Sequence, residues 1–198
     1  MCDAWAPRVR TGPALAPQCA MAPSPRPPIQ VTAHIDDPIA LLLACHEKVR
    51  RFVTLLGRLQ AHMQMRGNDA SAREAAQSVL RYFDVAAPLH HADEELDLVP
   101  ALLTLPSPEL HRHATEIMAE HEALNGQWAA IRVLLQAIVA GADWPEASAA
   151  DSPDTAAFAQ HYLAHAEAEE RLLYPYAAQL STTQRQAMAE AMSARRRV

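Results

Sequence analysis

Cysteine is scarce in this chain. Only Cys2, Cys19 and Cys45 occur among 198 residues, and no two are spaced as Cys-x-x-Cys. An odd, scattered set of three does not read as a disulfide framework or a cysteine zinc site, so a reducing, cytoplasmic setting is the expectation. Glycine is equally rare, with five residues and no Gly-rich phosphate loop. There is no serine elbow either, which removes the common hydrolase signatures. No apolar run approaches the roughly 18 residues of a membrane span, so no membrane partner is expected. Basic charge is in deficit. Lys and Arg number 17 against 23 Asp and Glu, a formal charge of −6. A nucleic-acid binder would show the opposite balance. Proline is unevenly placed, with seven of fifteen in residues 1–33. That stretch reads as a disordered Pro-rich tail, with Met21 as an alternative start.

Alanine and leucine dominate the rest, which favours helices over strands. Asp37-Pro38, Ser107-Pro108 and Ser152-Pro153 each place a capping side chain before a first-turn proline, while Gly67 and Gly141 offer stops. Asn68, Asp69 and Ser71 are candidate caps for a helix over about 71–103, with Pro88 as its kink. A fourth long helix is expected over about 153–179. Ser181 and Gln184 are spaced as a capping box for a short fifth helix that ends in Arg195-Arg196-Arg197, a run expected in solvent. The fold class is therefore all-α: an antiparallel up-down four-helix bundle with a short fifth helix. The expected organisation is a tail over 1–33, the bundle over 34–180 and the basic C-terminal helix over 181–198. Ile39, Leu42, Leu43, Val49 and Val53 surround His46 at helical spacing, and Ile117, Met118, Leu124 and Trp128 surround His121. Both histidines thus fall on apolar stripes.

Histidine is plentiful, at ten residues, and its placement repeats. LHHADEELDLVP occupies residues 89–100 and AHAEAEERLLYP occupies 164–175. His46 to His121 and His90 to His165 are both intervals of 75 residues, so a whole hairpin recurs: a lone His, then His-x-x-x-Glu-Glu. Positions i and i+4 share a helix face. His90 with Glu94, and His165 with Glu169, therefore each present an imidazole beside a carboxylate. Two hairpins around an approximate two-fold axis bring four imidazoles and two carboxylates together. Burying six ionisable groups without a counter-charge costs several kcal/mol each. Two cations, each with two histidines and with Glu94 and Glu169 as bridges, resolve that cost. One lone histidine on an apolar stripe is ordinarily a hydrogen-bonded core residue. Four of them in this symmetry are not explained that way. His-Glu-x-x-His and Glu-x-x-His, the zincin and ferritin-like spacings, are both missing from the chain.

On His46, HHADEELDLVP, His121 and HAEAEERLLYP, the chain resembles the hemerythrin family, in particular its bacterial HHE cation-binding branch, over about residues 36–179. The resemblance implies a four-helix bundle with two non-heme irons held by His46, His90, Glu94, His121, His165 and Glu169. Imidazole and carboxylate accept Mn or Zn as well. Val99 stands where the family often has an aromatic residue. The oxygen-carrying members add a fifth histidine one turn along the third helix, where this chain has Asn125. Their last carboxylate corresponds to Glu170, which stays open as an alternative to Glu169, and His161 is a candidate replacement for the missing histidine. The branch related to iron-centre repair has the four-His, two-Glu set and usually an additional cysteine-bearing N-terminal domain, which residues 1–33 are too short to supply. His91 lies about 100° around the helix from His90, so no direct role is expected of it. His34, His62, His111 and His113 read as linker or surface residues, and Cys45 as core. The function the resemblance implies is binding or sensing of O2, NO or peroxide, or iron handling, by a cytoplasmic monomer or homodimer. A reversible O2 carrier and an enzyme reducing peroxide or NO are the rival readings.

Overall fold

The computed structural model describes residues 37–145 and 153–197. The expected N-terminal tail and His34 lie outside the described residues. Helix α1 spans Pro38–Arg66. Helix α2 runs continuously over 70–102, α3 spans Pro108–Val139, α4 spans Thr155–Leu172 and α5 spans Thr182–Arg195. No strand occurs among the described residues. Neighbours in the ring are α1 with α2, α2 with α3, α3 with α4, and α4 with α1, so the bundle closes as an antiparallel up-down arrangement.

Local chemistry explains the boundaries. The Asp37 carboxylate accepts from the amides of Ile39 and Ala40, and Pro38 follows it. Asp69 accepts from Ala72, and Ser107 from Leu110. Gly67 and Gly141 end their helices at φ 73° and 107°, a region that L side chains avoid. Ser181 and Gln184 form the expected reciprocal capping box. The start of α4 differs from expectation. Asp154 is its cap, the carboxylate accepting from both Ala156 and Ala157, while Ser152, the expected cap, lies outside the described residues. Its end differs too. The α-helix stops at Leu172, and Tyr174–Gln179 turn as a 3-10 helix through Pro175.

The prolines inside α2 neither break nor end it. Each is preceded by a wider turn, a π segment at Tyr82–Ala86 before Pro88 and another at Glu94–Leu98 before Pro100. The Ala87 amide reaches back to the Tyr82 carbonyl, and the Val99 amide to the Glu94 carbonyl. A proline ring collides with the carbonyl four residues earlier and supplies no N–H. Widening the turn before it relieves both problems, and such π segments recur at functional sites.

Two apolar cores fill the bundle. One contains Val49, Val53, Leu56, Phe83, Leu124, Trp128 and Phe158. The other contains Leu42, Leu98, Leu102, Ile117, Leu173 and, from α5, Met188 and Met192. Leu43, expected on the buried stripe, faces outward. The arginine run is not all in solvent. Arg195 and Arg196 both pair with the fully buried Asp93 of α2, and Arg195 also donates to Asp97 at 2.9 Å. These pairs fasten α5 across α2. Removing Asp93 leaves the half-buried Arg196 without its carboxylate and Arg195 with Asp97 alone. Asp93→Ala is therefore expected to lower the unfolding free energy by about 1–3 kcal/mol in urea titrations of the metal-free protein, since solvent and Asp97 offset part of the loss. A loss below about 0.5 kcal/mol would mean that the apolar face of α5 holds it alone.

Candidate metal centre

Each of the four bundle helices, α1 to α4, crosses from one apolar core to the other through a single polar layer. On α1 the order is Leu42, His46, Val49; on α3 it is Ile117, His121, Leu124. On α2, His90 and Glu94 lie between Ala87 and Leu98, and on α4, His165 and Glu169 lie between Tyr162 and Leu173. All six are buried, with exposures of 3% or less.

Within that layer the side chains sort into two halves. The Nε2 atoms of His46 and His90 lie 3.1 Å apart, and so do those of His121 and His165. Glu169 turns one oxygen to each half. Its Oε2 is 3.1 Å from His46 Nε2, and its Oε1 is 3.1 Å from His165 Nε2 and 3.7 Å from His121 Nε2. Glu94 Oε2 stands between the halves, 3.6 Å from His90 Nε2 and 3.7 Å from His121 Nε2. The other oxygen of Glu94 accepts from the Tyr174 hydroxyl at 2.6 Å. The ligating atoms of His46, His90, Glu94 and Glu169 converge as a group able to hold a cation, and those of His91, His121 and His165 form a second cluster.

Outside the ligating nitrogens sits a ring of carboxylates. His46 Nδ1 is 2.8 Å from Glu170, His121 Nδ1 is 2.6 Å from Glu95, and His165 Nδ1 is 3.0 Å from Glu120. Each such contact directs the ring proton to Nδ1 and leaves the Nε2 lone pair facing the centre. His121 and His165 then aim two lone pairs at each other across 3.1 Å. Three buried oxygens, Glu94 Oε2 and both of Glu169, have no hydrogen-bond partner. Lone pairs that converge without protons between them repel, and divalent cations supply the missing charge. The donor set fits two such ions.

Protonation in the metal-free chain follows from burial. Desolvation, and then the negative Glu169 beside it, push the Glu94 carboxyl well above its ordinary range. Burial acts on Glu169 in the same direction but is outweighed. Without ions, imidazole protons turned toward it by His121, His165 and His46 take the place of the missing cations and hold it well below the usual value. Desolvation drives His90 down to about 3, so its ring is neutral and free to ligate.

Comparison with known proteins decides the family. A family model, the hemerythrin HHE cation-binding domain, matches residues 37–177. The chain belongs to that family. It is also 34% identical over 163 residues to an uncharacterized protein of Haemophilus influenzae, covering 82% of this chain and 92% of that relative. An HHE domain binds metal cations, and the buried His and Glu groups of this chain suit that role.

The structure places the remaining candidates differently from one another. Glu170 lies beside His46 Nδ1 and the Arg50 guanidinium, 2.8 Å from each, on the outer side of the imidazole. His161 pairs with Gln127 at 2.9 Å, away from both clusters, and Asn125 is exposed. His62 pairs with Asp69, and His111 with the Leu105 carbonyl, both outside the polar layer. His91 is the residue that reading along the sequence undervalued. It is buried, its ring stacks on His121 with centroids 3.9 Å apart and planes 8° apart, and its Nε2 meets the Tyr162 hydroxyl at 2.9 Å. Parallel rings send their in-plane lone pairs side by side, so His91 braces His121 instead of sharing one ion with it. The His-His doublet was the available signal. The wide buried face of α2, which takes in His90, His91, Asp93 and Glu94, was not foreseeable from a single stripe. Tyr174 was visible only as a family feature, and of the three outer carboxylates only Glu170 is a sequence candidate, as a ligand in place of Glu169; Glu95 and Glu120 are not.

These positions predict graded effects. Glu95→Ala and Glu120→Ala should weaken ion binding about 10- to 100-fold while leaving both ions bindable. His91→Ala should retain both ions. Glu94→Ala and Glu169→Ala should lose the paired state. Equilibrium dialysis against a metal buffer checks all five, and loss of both ions from His91→Ala would make that ring a ligand.

Proposed function

We propose that this chain is a non-heme di-iron protein that binds or senses O2, NO or peroxide, or handles iron, with His46, His90, Glu94, His121, His165 and Glu169 as ligands. The observation that carries this reading is Glu169, whose two oxygens face two separate imidazole pairs. Bound there, two irons supply one-electron redox change and open positions for a small diatomic or peroxide ligand. The chain's own residues set the conditions. Glu170, Glu95 and Glu120 orient three of the four imidazoles. Tyr174 fixes one oxygen of Glu94 and leaves the other for the ions. Apolar cores above and below exclude bulk water. Among the described residues no helix is long and apolar enough to cross a membrane. A cytoplasmic protein acting without nucleic acid, as monomer or homodimer, is part of the same proposal.

A reversible O2 carrier is the second reading. It requires an extra histidine ligand that saturates one iron, and His161 is occupied with Gln127 instead. An enzyme reducing peroxide or NO is the third, and steady turnover with a chemical reductant would select it.

Two outcomes are expected. Protein reconstituted anaerobically with Fe(II) should hold two irons per chain by elemental analysis, and less than half an equivalent of any transition metal would sink the reading. Exposure of the reduced protein to air should oxidise both irons within seconds to minutes, and flushing with argon should not restore the reduced spectrum. Full recovery on flushing would favour the carrier.

A further inference from the structure

The two ion positions are not equally supported. His46, His121 and His165 each hold Nδ1 against a carboxylate. His90 Nδ1 is just as buried and has no hydrogen-bond partner. The repeat locates the missing group. Glu120, which holds His165, immediately precedes His121, and the residue 75 positions earlier, immediately preceding His46, is Cys45. A buried free cysteine thus holds the repeat position at which the other hairpin carries its carboxylate. A neutral thiol is a weak acceptor. The Cys45 side chain is moreover engaged by the Arg196 guanidinium, which also pairs with Asp93.

A second asymmetry falls on the same half. Tyr174 has Val99 as its repeat counterpart. Its hydroxyl lies 3.1 Å from His46 Nε2 while donating to Glu94, so it draws charge from a carboxylate oxygen on the His46 side. On the other half, His121 is braced by the stacked His91, whose counterpart is Ala166. A carboxylate on the outer nitrogen raises an imidazole's basicity and fixes its ring, and losing one such partner costs about 10- to 100-fold in metal affinity.

We propose that the ion held by His46 and His90 is the exchangeable one and that the ion held by His121 and His165 is retained, with the Cys45/Glu120 difference as the main determinant. This inference rests on the two-cation reading above. It makes the chain a protein that passes one ion per chain to and from solution, or to an acceptor, while keeping its other ion.

The test is ion release. Protein loaded anaerobically with Fe(II) is mixed with excess chromophoric Fe(II) chelator, and release is followed by absorbance. Two phases of one ion per chain each are expected, with rates about 10- to 100-fold apart. Cys45→Glu should slow the fast phase, and Cys45→Ser should leave it unchanged. Glu120→Cys should accelerate the slow phase until the two merge. His90→Ala should abolish the fast phase and spare the slow one. Glu120→Ala, with helicity checked by circular dichroism, serves if the buried glutamate in Cys45→Glu prevents folding. Two bound ions leaving in a single phase would overturn this inference and leave the di-cation reading standing. So would loss of the slow phase in His90→Ala. Failure to load two ions would overturn both.

Discussion

Two carboxylates and four imidazoles buried in one layer of an apolar bundle face a simple constraint: each uncompensated charge there costs several kcal/mol. Water cannot meet the demand, because Leu42, Leu98, Ile117 and Leu173 close one side and Val49, Ala87, Leu124 and Tyr162 the other. Cations can. The rest of the structure is arranged around that layer. The helices are long enough to carry an apolar core on either side of it. The π segments let α2 keep His90, Glu94 and two prolines in one continuous helix. Helix α5 seals the outer face of α2 through Asp93, which lies within the same motif as the ligands.

The doubled glutamate in each repeat has a physical explanation. The first of each pair, Glu94 or Glu169, faces the centre. The second crosses to the other hairpin: Glu95 holds His121, and Glu170 holds His46. Each hairpin therefore orients a ligand of its partner, and neither half-site is complete until the two hairpins have docked. Assembly of the bundle and assembly of the site are one event, which couples metal binding to folding. Departures from the two-fold pattern, at Cys45, His91 and Tyr174, fall unevenly on the two halves.

What the sequence determined by itself was the periodic part. Caps at Asp37, Asp69, Ser107 and Ser181 and stops at Gly67 and Gly141 are local hydrogen-bonding and backbone chemistry, so they are legible without a fold. The 75-residue interval and the i, i+4 spacing placed His46, His90, Glu94, His121, His165 and Glu169 on inward faces, and the structure brings these six into one layer. Tertiary structure decided what periodicity does not encode. The partner of each engaged Nδ1 comes from another helix, as Glu170 does for His46. His91 is buried because α3 and α4 supply His121 and Tyr162 on that side of α2. Arg195 and Arg196 leave solvent because α5 returns to meet Asp93. Helix spacing reports which way a side chain points within its own helix. What it meets there depends on the neighbour's register and on where a proline widens or ends a turn, and both are settled only by packing.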